Sequence, residues 1–554
     1  MSRGCSGALE VGAAAGLERT VGSRLAIRIE TGQSEAAQQR EWRCFVISDA
    51  GSAMTSNQQP DFDVIVVGSG NAGLCAAVSA AEAGANTLLL EKAPKEWRGG
   101  NTRQTSNYSY SFEGVHTLDS MCPGAAAELD GAMLVTSYSP EELLGDILRK
   151  SGPETDVELM SILAEMSQPT MRWLTEHGIA WEINWPMARR VGGRMAWDSP
   201  GTVLRPEGGG QAVVDALIGV LGRHGANAYV AYESQVVGLL TDSDGIVSGV
   251  RIRSPAGEEE VTATAVILAA AGFEANPQER VAHLGDSWEG VKVRGSRYNT
   301  GDGLALLAEL GADMAGSWDN CHSSMVRQQA SKFELDNAEV FPFAFAHSIL
   351  VNRAGLRFVD EGESFLYETY SRVSKAALAQ PGGIIFEVYD AKTADMRASK
   401  GAQSTAYQYS VGRADTLAEA AAQAGIDAGQ FVATVEDYNA AVIDGVDYEP
   451  GRLDGRRTKG LAIDKSNWAL RLDTPPFEIF ALEVGITFTY GGVRADQHGR
   501  VTADGQPIPG LYAVGEMVGT FYKDYVAGVG MTKGAVFGRI AGAHAAEQVT
   551  ASRN

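Results

Sequence analysis

The run Gly68-Ser69-Gly70-Asn71-Ala72-Gly73 restricts what this 554-residue chain can fold into more than any other feature. It is a G-x-G-x-x-G that follows the β-branched stretch DVIVVG and opens helical spacing from Ala72 to Ala83. Gly68 permits a tight turn, Gly70 lets the backbone approach a pyrophosphate, and Gly73 lets helix and strand pack closely. The helix start then turns free N–H groups and positive dipole toward phosphates. TLLLEK follows as a second buried strand, and its end places Glu91 about 20 residues after the glycines, where a carboxylate accepts from a ribose diol. The unit is a βαβ dinucleotide site, and by itself it serves NAD or FAD equally.

Length and composition narrow the surroundings. A chain this long exceeds one hydrophobic core, so two domains are expected. Hydrophobic residues at 44% and charged residues at 21% suit a folded globular protein. Acidic residues outnumber basic ones 69 to 46, a formal charge of -23 that repels nucleic acid and anionic lipid. The five cysteines contain no C-x-x-C pair, which argues against a disulfide framework, a zinc site, an iron–sulfur cluster or attached haem. Electrons must then pass to a separate partner or a diffusible acceptor. No run approaches the ~18 apolar residues that span a bilayer, and no signal peptide is visible, so a soluble cytoplasmic protein is expected. Residues 1–57 read as a leader or disordered segment, with Met54 as the natural start.

Beyond the first unit, apolar spacing reads as helices between Glu141 and Gly178 and over Gly210 to Gly225, strands from Tyr229 to Ile252, and a buried strand in AVILAAAG. From Cys321 to Leu482 the βαβ rhythm stops, and it resumes with LYAVGE and a helix from Thr532 to Glu547. The expected division is an FAD-binding domain over 61–320 and 483–547 with a capping or substrate domain inserted at 321–482. The C-terminal segment decides the cofactor: Glu516, then Gly528, Gly530 and Met531 before a helix, suit a second approach to a ribityl chain and isoalloxazine ring.

GGNT at 99–102, TGDG at 300–303, the strand ending AAAGF, GLYAVGE and the glycine-spaced text from Gly530 to Gly542 together resemble the fumarate reductase/succinate dehydrogenase flavoprotein superfamily. EWRGGN, WDNCH, RFVDEG, YETYSRVSKAALAQPG and GITFTYGG are most similar to the FAD-dependent tricarballylate dehydrogenases within it. The resemblance implies an α/β, Rossmann-like FAD-binding domain with an inserted α+β capping domain. It implies non-covalent FAD, because Asn101 and Thr102 stand in the GGN segment without a histidine of the covalent type. The implied cofactor contacts are Gly68, Ser69, Gly70, Asn71, Ala72, Gly73, Glu91, Lys92, Gly99, Gly100, Asn101, Thr102, Gly209, Gly210, Val236, Ala271, Gly272, Asp302, Gly515, Glu516, Gly530 and Met531. No metal is expected.

The implied chemistry is hydride transfer at a CH–CH bond beside a carboxylate or keto group. Arg372 in YETYSRVSK is the nearest match to the family's proton-carrying arginine, and His322 to a histidine that binds a substrate carboxylate. Two departures stand against a simple dicarboxylate: Phe488 replaces a second histidine, and Tyr525 replaces an arginine. Tyr525 lies where 3-ketosteroid dehydrogenases present a phenol to a carbonyl oxygen, with Tyr367, Tyr370 and Tyr490 as further phenols. Three readings stay open: a dehydrogenase of a tricarballylate-like polycarboxylate, one of a ketosteroid or cyclic ketone, and a flavin-binding subunit without turnover.

Overall fold

FDVIVV forms β1 (Phe62–Val67), NAGLCAAVSAAE forms α1 (Asn71–Glu82) and TLLL forms β2 (Thr87–Leu90), so the sequence pattern becomes a parallel βαβ unit with β1 and β2 buried throughout. This computed structural model describes residues 29–30, 59–105, 107–333, 344–393 and 409–553. The expected leader at 1–57 lies outside the described residues except for Ile29–Glu30, which pair antiparallel with Val230 and Ala231.

The first sheet continues outward from β2 to β3 (Ala228–Ala231), which follows α2 (Gly209–Arg223). On its other side the antiparallel meander β4 (Gln235–Thr241), β5 (Val247–Ser254) and β6 (Gly257–Leu268) returns the chain, so that β6 lies parallel to β1 with Ala265 opposite Val64. Strands buried on both faces need helices on those faces, and the chain supplies them from its two ends. The C-terminal helix Val529–Arg553 packs across α1, and their backbones come close because the contact is made of glycines and alanines. A Cβ on Gly538 would stand 2.3 Å from the Ala72 oxygen, and one on Gly542 2.2 Å from the Ala76 oxygen. Glycines spaced four apart share one helix face, and here that face seats the last helix on the first.

The second sheet is mostly antiparallel. Its centre is the long strand Phe477–Thr489, flanked by Cys321–Arg327, Ile385–Tyr389 and Gly412–Ala414, with Ile349–Asn352 beyond. Its central strand runs through the expected boundary at 482, and the short strand Lys292–Val293 joins it in parallel at Gly485 and Ile486. Hydrogen bonding along one continuous strand thus ties the capping part to the FAD-binding part. The helix Leu366–Leu378 lies against this sheet through Leu366, Tyr370, Val373 and Ala377, an i, i+4, i+7, i+11 stripe. None of the helices among the described residues is long and apolar enough to cross a membrane.

Candidate active site

A cavity of about 1120 Å³ runs from the G-x-G-x-x-G turn to the underside of the second sheet. At its first end Ser69 caps the turn onto Glu91: the Ser69 N–H donates to Oε2 at 3.0 Å, the hydroxyl donates to the same oxygen at 2.5 Å, and the Ala93 N–H donates to Oε1 at 2.7 Å. Gly73 shows why this turn needs glycine, since a Cβ there would lie 1.9 Å from the Gly68 oxygen. At Gly70 the nearest atoms to such a Cβ are 3.7 and 3.8 Å away, so the backbone opens onto the cavity. Lys92 is drawn sideways to Asp302 at 2.8 Å and Thr300 at 2.5 Å, and Gln235 also donates to Asp302. The Asp302 carboxyl, although burial disfavours its charge, is held below its ordinary value by these donors.

The two ends of the chain meet in the middle. Asn71 donates from its side chain to the Met531 oxygen at 2.8 Å, 460 positions away, and its backbone N–H donates to Thr102 Oγ1 at 2.8 Å. Thr102 is placed by α2, because Gly210 passes so near that a Cβ would stand 1.7 Å from the Thr102 oxygen. Below lie Gly515, Glu516 and Gly530 in the wall, and Lys533, buried, whose Nζ donates to Val518 O at 2.8 Å and Thr520 Oγ1 at 3.0 Å. Burial brings the Lys533 amine down to about 7, against the pull of Glu516. An open glycine turn at a helix start, a strand-end carboxylate and a second glycine-rich helix start along one elongated cavity fit a flavin dinucleotide.

The far end is built from phenols around one buried guanidinium. Arg294 follows the short strand Lys292–Val293, its N–H donates to Ile486 O at 2.8 Å, and Tyr367, Tyr370 and Tyr525 face its head. Burial lowers the Arg294 pKa. Tyr370 shares a 2.7 Å hydrogen bond with Nε2 of His322, whose ring is fully buried behind it, and hydrogen-bonds Tyr525. Burial raises Tyr370 well above an ordinary phenol and Tyr525 to about 12, so both are protonated phenols at neutral pH. Burial first, then Arg294, Lys375 and Lys150, hold His322 well below the usual imidazole value, so the ring is neutral. Phe488 packs edge-on at 5.0 Å from Tyr525, and Phe521 at 5.7 Å closes the wall. Trp185, Met187 and Gly451 line the outer part, where Arg189 pairs with Asp198 at 2.7 Å and also donates to the Gly451 oxygen.

The FAD binding domain family profile matches residues 63–532. The chain belongs to this family. The flavoprotein is 26% identical over 502 residues to a probable fumarate reductase of Shewanella frigidimarina, covering 89% of this chain and 76% of that one. It is 28% identical to a 3-oxosteroid 1-dehydrogenase of Mycobacterium tuberculosis, covering 88% and 99%. It also resembles the solved structure of a 3-ketosteroid-Δ4-(5α)-dehydrogenase from Rhodococcus jostii, with a TM-score of 0.64 and 26% identity over 89% of this chain and 98% of that one. The protein is therefore an FAD-dependent oxidoreductase.

Most expected cofactor positions line the cavity of the flavoprotein: Gly68, Ser69, Gly70, Asn71, Ala72, Glu91, Lys92, Gly100, Asn101, Thr102, Val236, Ala271, Asp302, Gly515, Glu516, Gly530 and Met531. Gly73, Gly99, Gly209, Gly210 and Gly272 lie outside the lining. Gly73, Gly99, Gly210 and Gly272 permit close packing behind it, and Gly209, at φ +68, starts α2. Tyr525 lines it; His322 stands one residue back. Arg372 requires a correction. It points away from the cavity, half-exposed, and pairs with Glu363. The Arg372→Ala enzyme is therefore expected to keep turnover within about twofold and to lose at most about 1 kcal/mol of stability, as an exposed ion pair does. Steady-state kinetics beside urea unfolding checks this. The sequence leaves unmarked Arg294 and Glu274, which sit in no recognisable motif, and Lys533, which lies within the Gly530–Gly542 text without carrying its glycine spacing.

Proposed function

We propose that this flavoenzyme interconverts a CH–CH and a C=C bond next to a carbonyl group, with a ketone as the activating group. The observation that supports it is the pair of protonated phenols, Tyr370 and Tyr525, hydrogen-bonded to one another beside Arg294 in an aromatic-walled chamber. FAD, when bound, accepts or supplies the hydride. The Tyr525 hydroxyl donates to the carbonyl oxygen, and Arg294 stabilises the negative charge that grows there during reaction. Tyr370 Oη takes the proton from the carbon beside the carbonyl as its own proton passes to Nε2 of the neutral His322, and the reverse path returns it. Phe488 and Phe521, packed against Tyr525, exclude water, which strengthens each of these interactions. The 3-oxosteroid and 3-ketosteroid dehydrogenases among the relatives point the same way.

A second reading, a polycarboxylate such as tricarballylate, is favoured by one feature, the buried Arg294 guanidinium, which suits a carboxylate. Electrons enter or leave through a separate partner protein or a diffusible carrier. An anaerobic titration of the yellow holoenzyme distinguishes the two substrates. A saturated 3-ketosteroid is expected to bleach the flavin band and tricarballylate to leave it unchanged. Bleaching by tricarballylate alone would reverse the choice.

A further inference from the structure

Two carboxyls of the flavoprotein remain outside the chemistry above. Glu274 follows β6 and is fully buried, and Glu516 follows the strand Gln506–Ala513, half-buried in the cavity wall. Oε1 of Glu274 accepts from the side-chain amides of Asn101 and Asn299, each at 2.6 Å. Among the described residues, its Oε2 meets no donor except the Glu516 carboxyl. On the other side, Oε1 of Glu516 accepts from the Thr489 N–H at 2.9 Å and its hydroxyl at 3.2 Å. The two groups meet over Gly272, where a Cβ would stand 2.2 Å from Glu516 Oε1 and 3.0 Å from Glu274 Oε2.

We propose that Glu274 and Glu516 hold one proton between them and take up a second from solvent when the bound flavin is reduced. Two carboxylates this close, one of them fully buried, do not both ionise, because burial and mutual repulsion penalise the second charge. The direction of their titration agrees: burial raises both, and the Glu274 charge raises Glu516 further. The donor sets assign the roles. The two amide N–H groups stand at 2.6 Å from Glu274, closer than the 2.9 and 3.2 Å donors of Thr489 to Glu516, which favours charge on Glu274 and leaves Glu516 as the acid in the oxidised enzyme.

The surrounding charged groups are few. Arg280 lies on the Glu274 side, its guanidinium held by the carbonyls of Glu274, Trp288 and Glu289. Lys533 lies on the Glu516 side, and the Cys321 thiol, pushed by burial to about 12, stays neutral near Glu274. Glu516 and Asn101 both line the cavity that fits the flavin. Two electrons and one proton on the flavin leave one new negative charge in a low-dielectric site, where it acts over a long range. The Glu274 carboxylate, which can become a neutral acid without leaving its amide donors, is placed to offset it. The balance is two electrons and one proton to the flavin and one further proton to the pair, with dithionite as the reductant in the test.

The inference rests on bound FAD and not on the identity of the substrate. The holoenzyme is reduced anaerobically with dithionite against a reference dye across the neutral pH range, and protons taken up per two electrons are read from the dependence of potential on pH. Wild type is expected to take up two, and Glu274→Gln, which removes the accepting carboxylate, one. A wild-type count of one, or a Glu274→Gln enzyme that keeps two, would overturn the proposal. Infrared difference spectra of reduced minus oxidised wild type supply a measurement free of mutation. A new protonated-carboxyl band that shifts in D2O supports the uptake, and a spectrum without one refutes it. Failure of every ketone to reduce the enzyme would count against the function proposed above and leave these readouts unaffected.

Discussion

Replacing Tyr370 by Phe is expected to lower turnover by about 10²- to 10⁴-fold, the usual worth of a positioned proton donor or acceptor, with FAD still bound. The substitution removes one oxygen and keeps the ring, so the packing of Leu366, Val373 and Ala377 against the second sheet survives. It also leaves Nε2 of the buried His322 without its 2.7 Å partner, which costs about 1–3 kcal/mol as an unsatisfied polar group. Flavin absorbance of the purified variant and a urea unfolding curve separate that loss from the catalytic one. A Tyr370→Phe enzyme retaining half of its turnover would remove Tyr370 from the proton step and leave that step to Tyr525 or Tyr367, the other phenols about Arg294. The pH profile carries the same logic. Tyr525 must be protonated to donate and is held at about 12, so turnover should not fall through the neutral range for want of this proton.

That Tyr370 and not Arg372 faces the cavity shows where sequence reading reached its limit. The sequence marks the segment YETYSRVSK for its arginine, and the structure makes it part of the helix Leu366–Leu378. A motif match off by two residues, however, turns a helical side chain by about 200°, to the opposite face. Tyr370 belongs to the apolar stripe with Val373 and Ala377, and Arg372 falls on the charged side with Glu363. The βαβ unit was legible because its signals are local: β-branched strand, glycine turn, helix and strand-end acid within thirty residues. Arg294 was not, because its placement depends on Lys292–Val293 pairing with Gly485 and Ile486, almost two hundred positions away, and VKVRGS carries no local mark of that register. Glu274 escaped for the same reason, since nothing in AAAGFEAN announces that Asn101, Asn299 and Glu516 converge on it.

The glycine turn itself is expected to tolerate almost nothing. Gly73→Val should yield a protein that purifies without yellow colour and takes up no added FAD, read as the flavin-to-protein absorbance ratio. The first side-chain carbon would lie 1.9 Å from the Gly68 oxygen and 3.2 Å from Ala269 Cβ. The nearer atom is backbone, so relief requires either the turn to open or α1 to move outward. Overpacking of this kind costs about 1–3 kcal/mol or more, because no side-chain rotation can absorb it. Outward movement of α1 reaches the other half of the site. It breaks the Asn71 bond to the Met531 oxygen and drags on the contacts of Gly538 and Gly542 with Ala72 and Ala76, so both ends of the cofactor cavity shift together. Gly145→Ala is the matched control: in the helix Pro140–Ser151 nothing lies within 4 Å of the new carbon. It should bind FAD as the wild type does and gain about 0.5–1 kcal/mol from the better helix former. A yellow, fully loaded Gly73→Val protein would mean that the strand–turn–helix packing is not what positions the dinucleotide, and the site would have to be built from the C-terminal helix alone.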